Sequence, residues 1–140
     1  MKKIMKIRVT PIGVMHCGLR APGDAPKNYN ESAETGRLEI FPQFLEAMDG
    51  IEVGRTLVVL FWLHEARRNL LKVYPRGNHS RRLRGVFVTR SPVRPNPIAL
   101  SELTVLSVQD NEIEVSGVDV IDGTPILDIK STVAPGKQRG

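Results

Sequence analysis

The residues best suited to ligand chemistry lie in a proline-rich segment, residues 91–98. Its prolines are Pro92, Pro95 and Pro97. Each proline fixes its own φ at about −65° and pushes the preceding residue toward extended backbone. Arg94 and Asn96 each precede a proline, so their backbone is stiff. This stiff segment begins just after Arg90. Such a frame presents guanidinium and amide groups to a ligand with little ordering cost. We interpret the segment as a ligand-binding turn; a rigid connection between two strands is the alternative.

A second chemical feature is a basic block, residues 66–101, which contains no Asp or Glu. Its cationic residues are Arg67, Arg68, Lys72, Arg76, Arg81, Arg82, Arg84, Arg90 and Arg94. The rest of the chain carries 11 basic and 15 acidic residues. Arginine dominates the block, and its guanidinium can bind a phosphate through two hydrogen bonds. The block predicts a polyanionic partner; a solvated basic loop is the alternative.

Several other classes of protein are disfavoured by the composition. The chain has 140 residues, the size of one domain, and no apolar run approaches the roughly 18 residues of a membrane span. The basic start is not followed by an apolar stretch, so we expect no signal peptide. Cys17 is the only cysteine, and the three histidines show no metal-ligand spacing, so we expect no disulfide, no metal and a cytoplasmic location.

The elements that must position these residues are mostly strands. We predict about seven: residues 4–15, 38–40, 55–64, 85–89, 103–108, 112–118 and 126–130. The continuously apolar run 55–64 predicts a strand buried on both faces, and Asp110-Asn111 predicts a tight hairpin. Residues 42–48 predict a short helix beginning at Pro42, and residues 17–36 a long functional loop. Strands do not alternate with long helices, so we predict a mostly β, barrel-like domain with one or two short helices.

Five collinear motifs resemble one known family. Residues 85–92 (GVFVTRSP) and 94–98 (RPNPI) resemble the signature of the TsaA/TrmO-like family of tRNA (N6-threonylcarbamoyladenosine-37) N6-methyltransferases. The other motifs are residues 11–14 (PIGV), 24–27 (DAPK), 59–64 (VLFWLH) and 118–130 (VDVIDGTPILDIK). Together they cover roughly residues 8–130, and the proline-arginine and Asp-Gly-Thr-Pro motifs are the specific ones.

The resemblance implies a single domain over residues 1–140, in the short form of the family. We expect a flexible tail at about 135–140 because chain ends are often poorly ordered. It implies S-adenosylmethionine as cofactor, the anticodon loop of tRNA as partner and a homodimer. The cofactor contacts that it implies are Pro26, Lys27, Asn28, His64, Glu65, Arg90, Leu100, Asp119, Asp122, Gly123 and Thr124. The substrate or RNA contacts that we predict are Arg94, Asn96, Arg81, Arg82 and Arg84.

The chemistry of this cofactor suggests pairings without identifying a catalytic residue. No G-x-G-x-x-G motif is present, which disfavours a Rossmann-type methyltransferase. Arg90 or Lys27 suits the carboxylate of the cofactor, and Asp119 or Asp122 suits its ribose diol or its amino group. His64 is the one candidate near the motifs for accepting a proton at neutral pH.

Departures from the family pattern leave other functions open. Lys27, Val93, Ala99 and Ser131 replace residues that are more usual in the family. They leave room for a methyltransferase that acts on a small molecule. A non-catalytic RNA-binding module is another alternative, although an aromatic content of 5% offers few rings for base stacking. A β-domain that only forms complexes is the third.

Overall fold

A closed antiparallel barrel dominates the computed structural model, which describes residues 3–24, 32–67 and 70–133. The strands are β1 (Gly13–Cys17), β2 (Thr35–Ile40), β3 (Thr56–Trp62), β4 (Lys72–Val73), β5 (Arg84–Gly85), β6 (Ile98–Gln109), β7 (Glu112–Ser116) and β8 (Pro125–Ser131). Six of them close the barrel in the order β1-β2-β7-β6-β3-β8, and β4 pairs with β5 in a separate small sheet. The prediction of a mostly β, barrel-like fold is confirmed.

Strand β3 shows how sequence and barrel fit together. Leu57, Val59 and Phe61 are buried in the interior, whereas the residues between them are half-buried. The prediction of a strand buried on both faces is therefore wrong. A barrel has one interior, so alternate side chains of a strand point into it and the others point outward.

The interior of the barrel holds one apolar core. Met15, Leu38, Leu103, Ile113 and Ile126 are fully buried in it. Val118 and Val120 of the connection between β7 and β8 belong to the same core. That connection is therefore packed against the barrel although it forms no strand.

Two predicted strands differ in the structure. Of residues 4–15 only Gly13 onward is strand, and the side chains of Ile4, Met5 and Ile7 are exposed. Residues 85–89 form a short end of β5 followed by a 3-10 turn, Val86–Val88. The turn forms because the Thr89 amide donates to the Val86 carbonyl at 3.1 Å and the Thr89 hydroxyl donates to it at 2.9 Å.

The hairpin at Asp110 and Asn111 is confirmed. Gln109 pairs with Glu112, and Asp110 takes a φ of 55°, a left-handed conformation that aspartate tolerates. The strand before it is longer than predicted, since β6 begins at Ile98. Residues 42–48 form the 3-10 helix Pro42–Met48.

Most of the other predicted features lie in the connections between strands. Within residues 17–36, Pro22–Asp24 is a 3-10 turn and β2 begins at Thr35, while residues 25–31 lie outside the described part of the chain. The expected tail at 135–140 also lies outside it. No helix in the described ranges has the length and apolar character to cross a membrane.

Close packing of β1 on β2 yields a stability prediction. A Cβ added to Gly13 would lie 2.1 Å from the backbone oxygen of Glu39, so the strands must separate to accept it. We expect Gly13→Ala to lower the free energy of unfolding by about 1–3 kcal/mol in urea titrations. Gly85→Ala is the control, since its φ of −61° suits alanine and nothing lies within 4 Å of the added Cβ. Equal midpoints for both variants would contradict the packing argument.

Candidate functional site

A cavity of about 520 Å³ opens at one end of the barrel. Strand β3 ends there, and β6 and β8 begin there, since Trp62 pairs with Ile98 and Phe61 pairs with Ile126. The lining residues are Leu63, His64, Glu65, Ala66, Arg67, Thr89, Arg90, Pro92, Val93, Arg94, Ile98, Ala99, Leu100, Asp119, Val120, Ile121 and Thr124. The proline-rich turn and the connection before β8 therefore face the same space.

Hydrogen bonds hold the proline-rich turn in shape. The Arg94 guanidinium donates from Nη1 to the carbonyls of Thr89 and Ser91, each at 3.1 Å. The Val93 amide donates to the Ser91 hydroxyl at 3.2 Å. Leu63 at the end of β3 donates to the Pro97 carbonyl at 2.8 Å. The stiffness predicted from the prolines is thus reinforced by Arg94, which acts partly as a brace for the turn.

Arg90 lies at the mouth of the cavity. Its Nη2 donates to the Leu100 carbonyl at 2.6 Å, which fixes the guanidinium beside the first residues of β6. Leu100 itself lines the cavity and is partly exposed. An arginine anchored in this way is well placed to bind an anionic group entering the cavity.

Asp119 is the more buried of the two acidic residues that line the cavity. The hydroxyl of Ser101, which is fully buried, donates to the Asp119 carboxylate at 2.6 Å. Burial raises the pKa of Asp119, and the Ser101 hydrogen bond and the charge of Arg90 lower it in part. The Ser101 hydrogen bond therefore orients the carboxylate, and its raised pKa makes Asp119 a candidate ligand-binding group.

His64, Glu65 and Thr124 complete the predicted residues in the cavity. His64 Nε2 lies 3.6 Å from Glu65 Oε2, and both side chains are accessible from solvent. Thr124 is buried, and its hydroxyl donates to the Ile121 carbonyl at 2.7 Å. Thr124 thus stabilises the loop that lines the cavity.

Asp122 and Gly123 are predicted site residues that do not line the cavity. The Asp122 carboxylate accepts from the Cys17 amide at 2.9 Å and from Arg20 Nη1 at 2.8 Å. Gly123 takes a φ of 84° and donates to the Met15 carbonyl at 2.8 Å. Neither is among the described residues that line the cavity. The Asp-Gly turn thereby fastens the connection to β1, and the predicted ligand contacts at these two residues stay predictions.

The other predicted residues lie in two groups. Pro26, Lys27 and Asn28 fall outside the described residues. Arg81, Arg82 and Arg84 are exposed in the segment 72–85, which we call the basic lobe and which β4 and β5 close. Asn96 is exposed in the turn and is not among the described residues of the cavity wall.

Several residues that line the cavity are not among those that the sequence predicted to bind a ligand. The apolar part of the wall includes Val93, Ile98, Val120 and Ile121, and Arg67 adds a cation. Ile98 and Val120 lie within the motifs 94–98 and 118–130, but which way their side chains point depends on the strand register. A cavity with apolar walls, two carboxylates and three arginines fits a ligand that combines an apolar ring with a carboxylate and with hydroxyl or ammonium donors.

Comparison with known proteins identifies the family. Residues 14–135 match the family model of the tRNA-methyltransferase O N-terminal domain. The chain belongs to this family. It is 44% identical over 126 residues to a probable S-adenosyl-L-methionine-binding protein of Methanothermobacter thermautotrophicus, with 90% of each chain covered. It is 39% identical over 120 residues to an S-adenosyl-L-methionine-binding protein of Archaeoglobus fulgidus, with 86% of this chain and 85% of that one covered.

Solved structures support the same membership. A crystal structure of TrmO from Pseudomonas aeruginosa matches with a TM-score of 0.75 and 32% sequence identity. The match covers 98% of this chain and 61% of that chain. A second TrmO crystal structure matches with a TM-score of 0.74 at 30% identity and is covered to 63%. The chain therefore spans less than two thirds of these TrmO proteins.

The raised pKa of Asp119 predicts a pH-dependent stability. Because the folded protein holds the carboxyl above its ordinary pKa, the associated stability is present at low pH and is lost as pH rises through the folded pKa. Asp119→Asn keeps an acceptor for Ser101 and removes this pH dependence. We expect the variant to gain stability over the wild type from pH 3 to pH 7 in urea titrations.

The control for this comparison is Asp49→Asn, which removes one exposed carboxylate outside the cavity. Ser101→Ala provides a second arm, because removal of its hydroxyl should raise the pKa of Asp119 further in a carboxyl NMR titration. Parallel stability curves for wild type and Asp119→Asn would reject the interpretation.

Proposed function

We propose that this chain transfers the methyl group of S-adenosylmethionine to N6 of threonylcarbamoyladenosine at position 37 of tRNA. The proposal rests mainly on one observation: the arginine-bearing proline turn and Asp119 line the same cavity. Family membership supports the reaction class, and the names of the relatives support the cofactor.

The donor set of the cavity fits this cofactor. A volume of about 520 Å³ lies within the roughly 300–1,000 Å³ usual for sites that bind small molecules. Arg90 would hold the carboxylate, and Asp119 would accept hydrogen bonds from the ribose diol or the amino group. The apolar side chains of Val93, Ile98 and Val120 would pack against the adenine ring. When bound, S-adenosylmethionine supplies an electrophilic methyl group on a sulfonium.

Catalysis by the chain would be mainly positional. The braced turn and the fixed Arg90 keep the ligand in one orientation, and alignment of reacting atoms can lower a barrier by roughly 7–11 kcal/mol. The apolar side chains of the wall would reduce the access of water to the reacting centre once the ligand fills the cavity. His64, which lies at the cavity beside Glu65, is our candidate for accepting the proton that leaves N6.

The basic lobe would bind the RNA. Arg81, Arg82 and Arg84 are exposed there, and no acidic residue interrupts residues 66–101. Phosphate contacts from arginine give affinity that falls as salt rises. The chain runs directly from the lobe through Val86–Val88 to Thr89 and Arg90 at the cavity. An RNA bound to the lobe would therefore approach the proposed methyl-transfer site.

A homodimer is part of the proposal. Leu71, Leu83, Phe87 and Val88 carry large apolar side chains that are exposed in the chain segment leading to the cavity, Phe87 to 81%. Apolar side chains grouped in this way are typical of an interaction surface. We propose that a second copy of the chain covers them.

Binding of the cofactor can be tested at Arg90. We expect Arg90→Ala to weaken S-adenosylmethionine binding roughly 10- to 100-fold in calorimetry, since the variant cannot form a charge-assisted hydrogen bond to the carboxylate. Arg90→Lys should recover part of the affinity. Arg37→Ala, at an exposed arginine of β2 that pairs with Glu112, is the control and should bind like the wild type. Unchanged affinity in Arg90→Ala would reject the assignment.

RNA binding can be tested in the lobe. We expect Arg81→Ala combined with Arg82→Ala to weaken tRNA binding. The salt slope, meaning the slope of the logarithm of the binding constant against the logarithm of the salt concentration, should fall in magnitude by about 1 for each phosphate that the double variant no longer binds. Cofactor affinity should stay at the wild-type value. Lys6→Ala combined with Arg8→Ala removes the same charge from exposed residues before β1 and is the control. Equal weakening in both double variants would show that only net charge matters.

The reaction itself is tested with labelled S-adenosylmethionine and tRNA carrying the threonylcarbamoyl group. Nucleoside mass spectrometry should find the methyl group on N6 of the modified adenosine. Cofactor binding without RNA methylation would favour a methyltransferase for a small molecule. RNA binding without cofactor binding would favour a non-catalytic module.

A further inference from the structure

Two aromatic rings of the basic lobe stack on each other. The ring centroids of Tyr74 and His79 are 4.3 Å apart, and the ring planes are inclined by 29°. Both residues lie between β4 and β5, which pair through Val73 and Arg84. Tyr74 is half-buried and His79 is exposed, so one face of the pair is accessible from solvent.

Successive tight turns bring the rings together. The Gly77 amide donates to the Tyr74 carbonyl at 2.9 Å, and the Asn78 amide donates to the Pro75 carbonyl at 3.0 Å. Arg76 takes a φ of 54°, which is uncommon for a residue with a side chain. The backbone of the loop thus holds His79 over Tyr74. Binding of a ligand to this pair would therefore cost little further conformational entropy.

The surroundings of the pair are cationic. Arg76, Arg81 and Arg82 are exposed in the same loop, and the loop carries no acidic residue. Arginines beside an exposed aromatic face are the combination by which proteins bind single-stranded RNA. The arginines hold phosphates, and unpaired bases stack on the ring.

We propose that His79, supported from behind by Tyr74, stacks on an unpaired nucleobase of the RNA. This inference rests on the proposed function and adds a base contact to the phosphate contacts of the lobe. His79 precedes Arg90 by eleven residues, at most about 40 Å of chain. The stacked base would lie within that distance along the chain from the base that enters the cavity.

The test measures binding of the full chain to an anticodon stem-loop RNA by fluorescence anisotropy over a range of salt. We expect His79→Ala to raise Kd roughly tenfold while the salt slope stays unchanged, because stacking releases no counterions. His79→Phe should restore the affinity, since it restores an aromatic face. His16→Ala, at a histidine of β1 that bonds Glu39, is the control and should bind like the wild type.

A second arm identifies the base. Stem-loops with an abasic site at each loop position in turn are titrated against wild type and His79→Ala. At one position the abasic RNA should bind the wild type roughly tenfold more weakly and should bind His79→Ala as tightly as the intact stem-loop does. Additive weakening at every position would overturn the proposal.

The outcomes separate this inference from the proposed function. Wild-type RNA binding with an unchanged Kd in His79→Ala overturns the stacking contact alone. A lower salt slope in His79→Ala also overturns it, because the ring would then only support the loop that positions the arginines. Failure of the wild type to bind any stem-loop overturns both the stacking contact and the RNA-directed function.

Discussion

The antiparallel pairing of β3 with both β6 and β8 is the constraint on which the site depends. It places the end of β3 beside the beginnings of β6 and β8, through the pairs of Trp62 with Ile98 and of Phe61 with Ile126. A shift of one residue in either pairing would turn every inward side chain outward. The core in the barrel therefore also aligns the three chain segments that form the cavity.

Polar groups near this cavity differ in how fully the protein itself satisfies them. In the described part of the chain, no buried side-chain nitrogen or oxygen lacks a hydrogen-bond partner. Thr124 and Arg94 use their donors on neighbouring carbonyls and so stabilise the loops. Asp119 has Ser101 as donor, yet burial still raises its pKa. A carboxylate with a raised pKa in the wall of a cavity is a candidate binding group.

One continuous segment links the two surfaces used in the proposed reaction. The basic lobe between β4 and β5 carries exposed arginines and the stacked pair of Tyr74 and His79. The 3-10 turn Val86–Val88 then inserts Val86 into the protein and leads to Arg90 at the cavity. An RNA contact on the lobe and a cofactor contact at the cavity are thereby separated by only a few residues of well-anchored chain.

Local sequence was sufficient for features that depend on neighbouring residues. These features are the apolar run of β3, the hairpin at Asp110, the stiff proline turn and the basic block. The sequence predicted them because backbone preference and charge are local properties. Tertiary structure decided which of two nearby aspartates faces the cavity. Asp119 does, whereas Asp122 bonds the Cys17 amide 105 residues away along the chain. Such a choice depends on strand register and barrel closure, which join residues far apart in sequence and leave no local pattern.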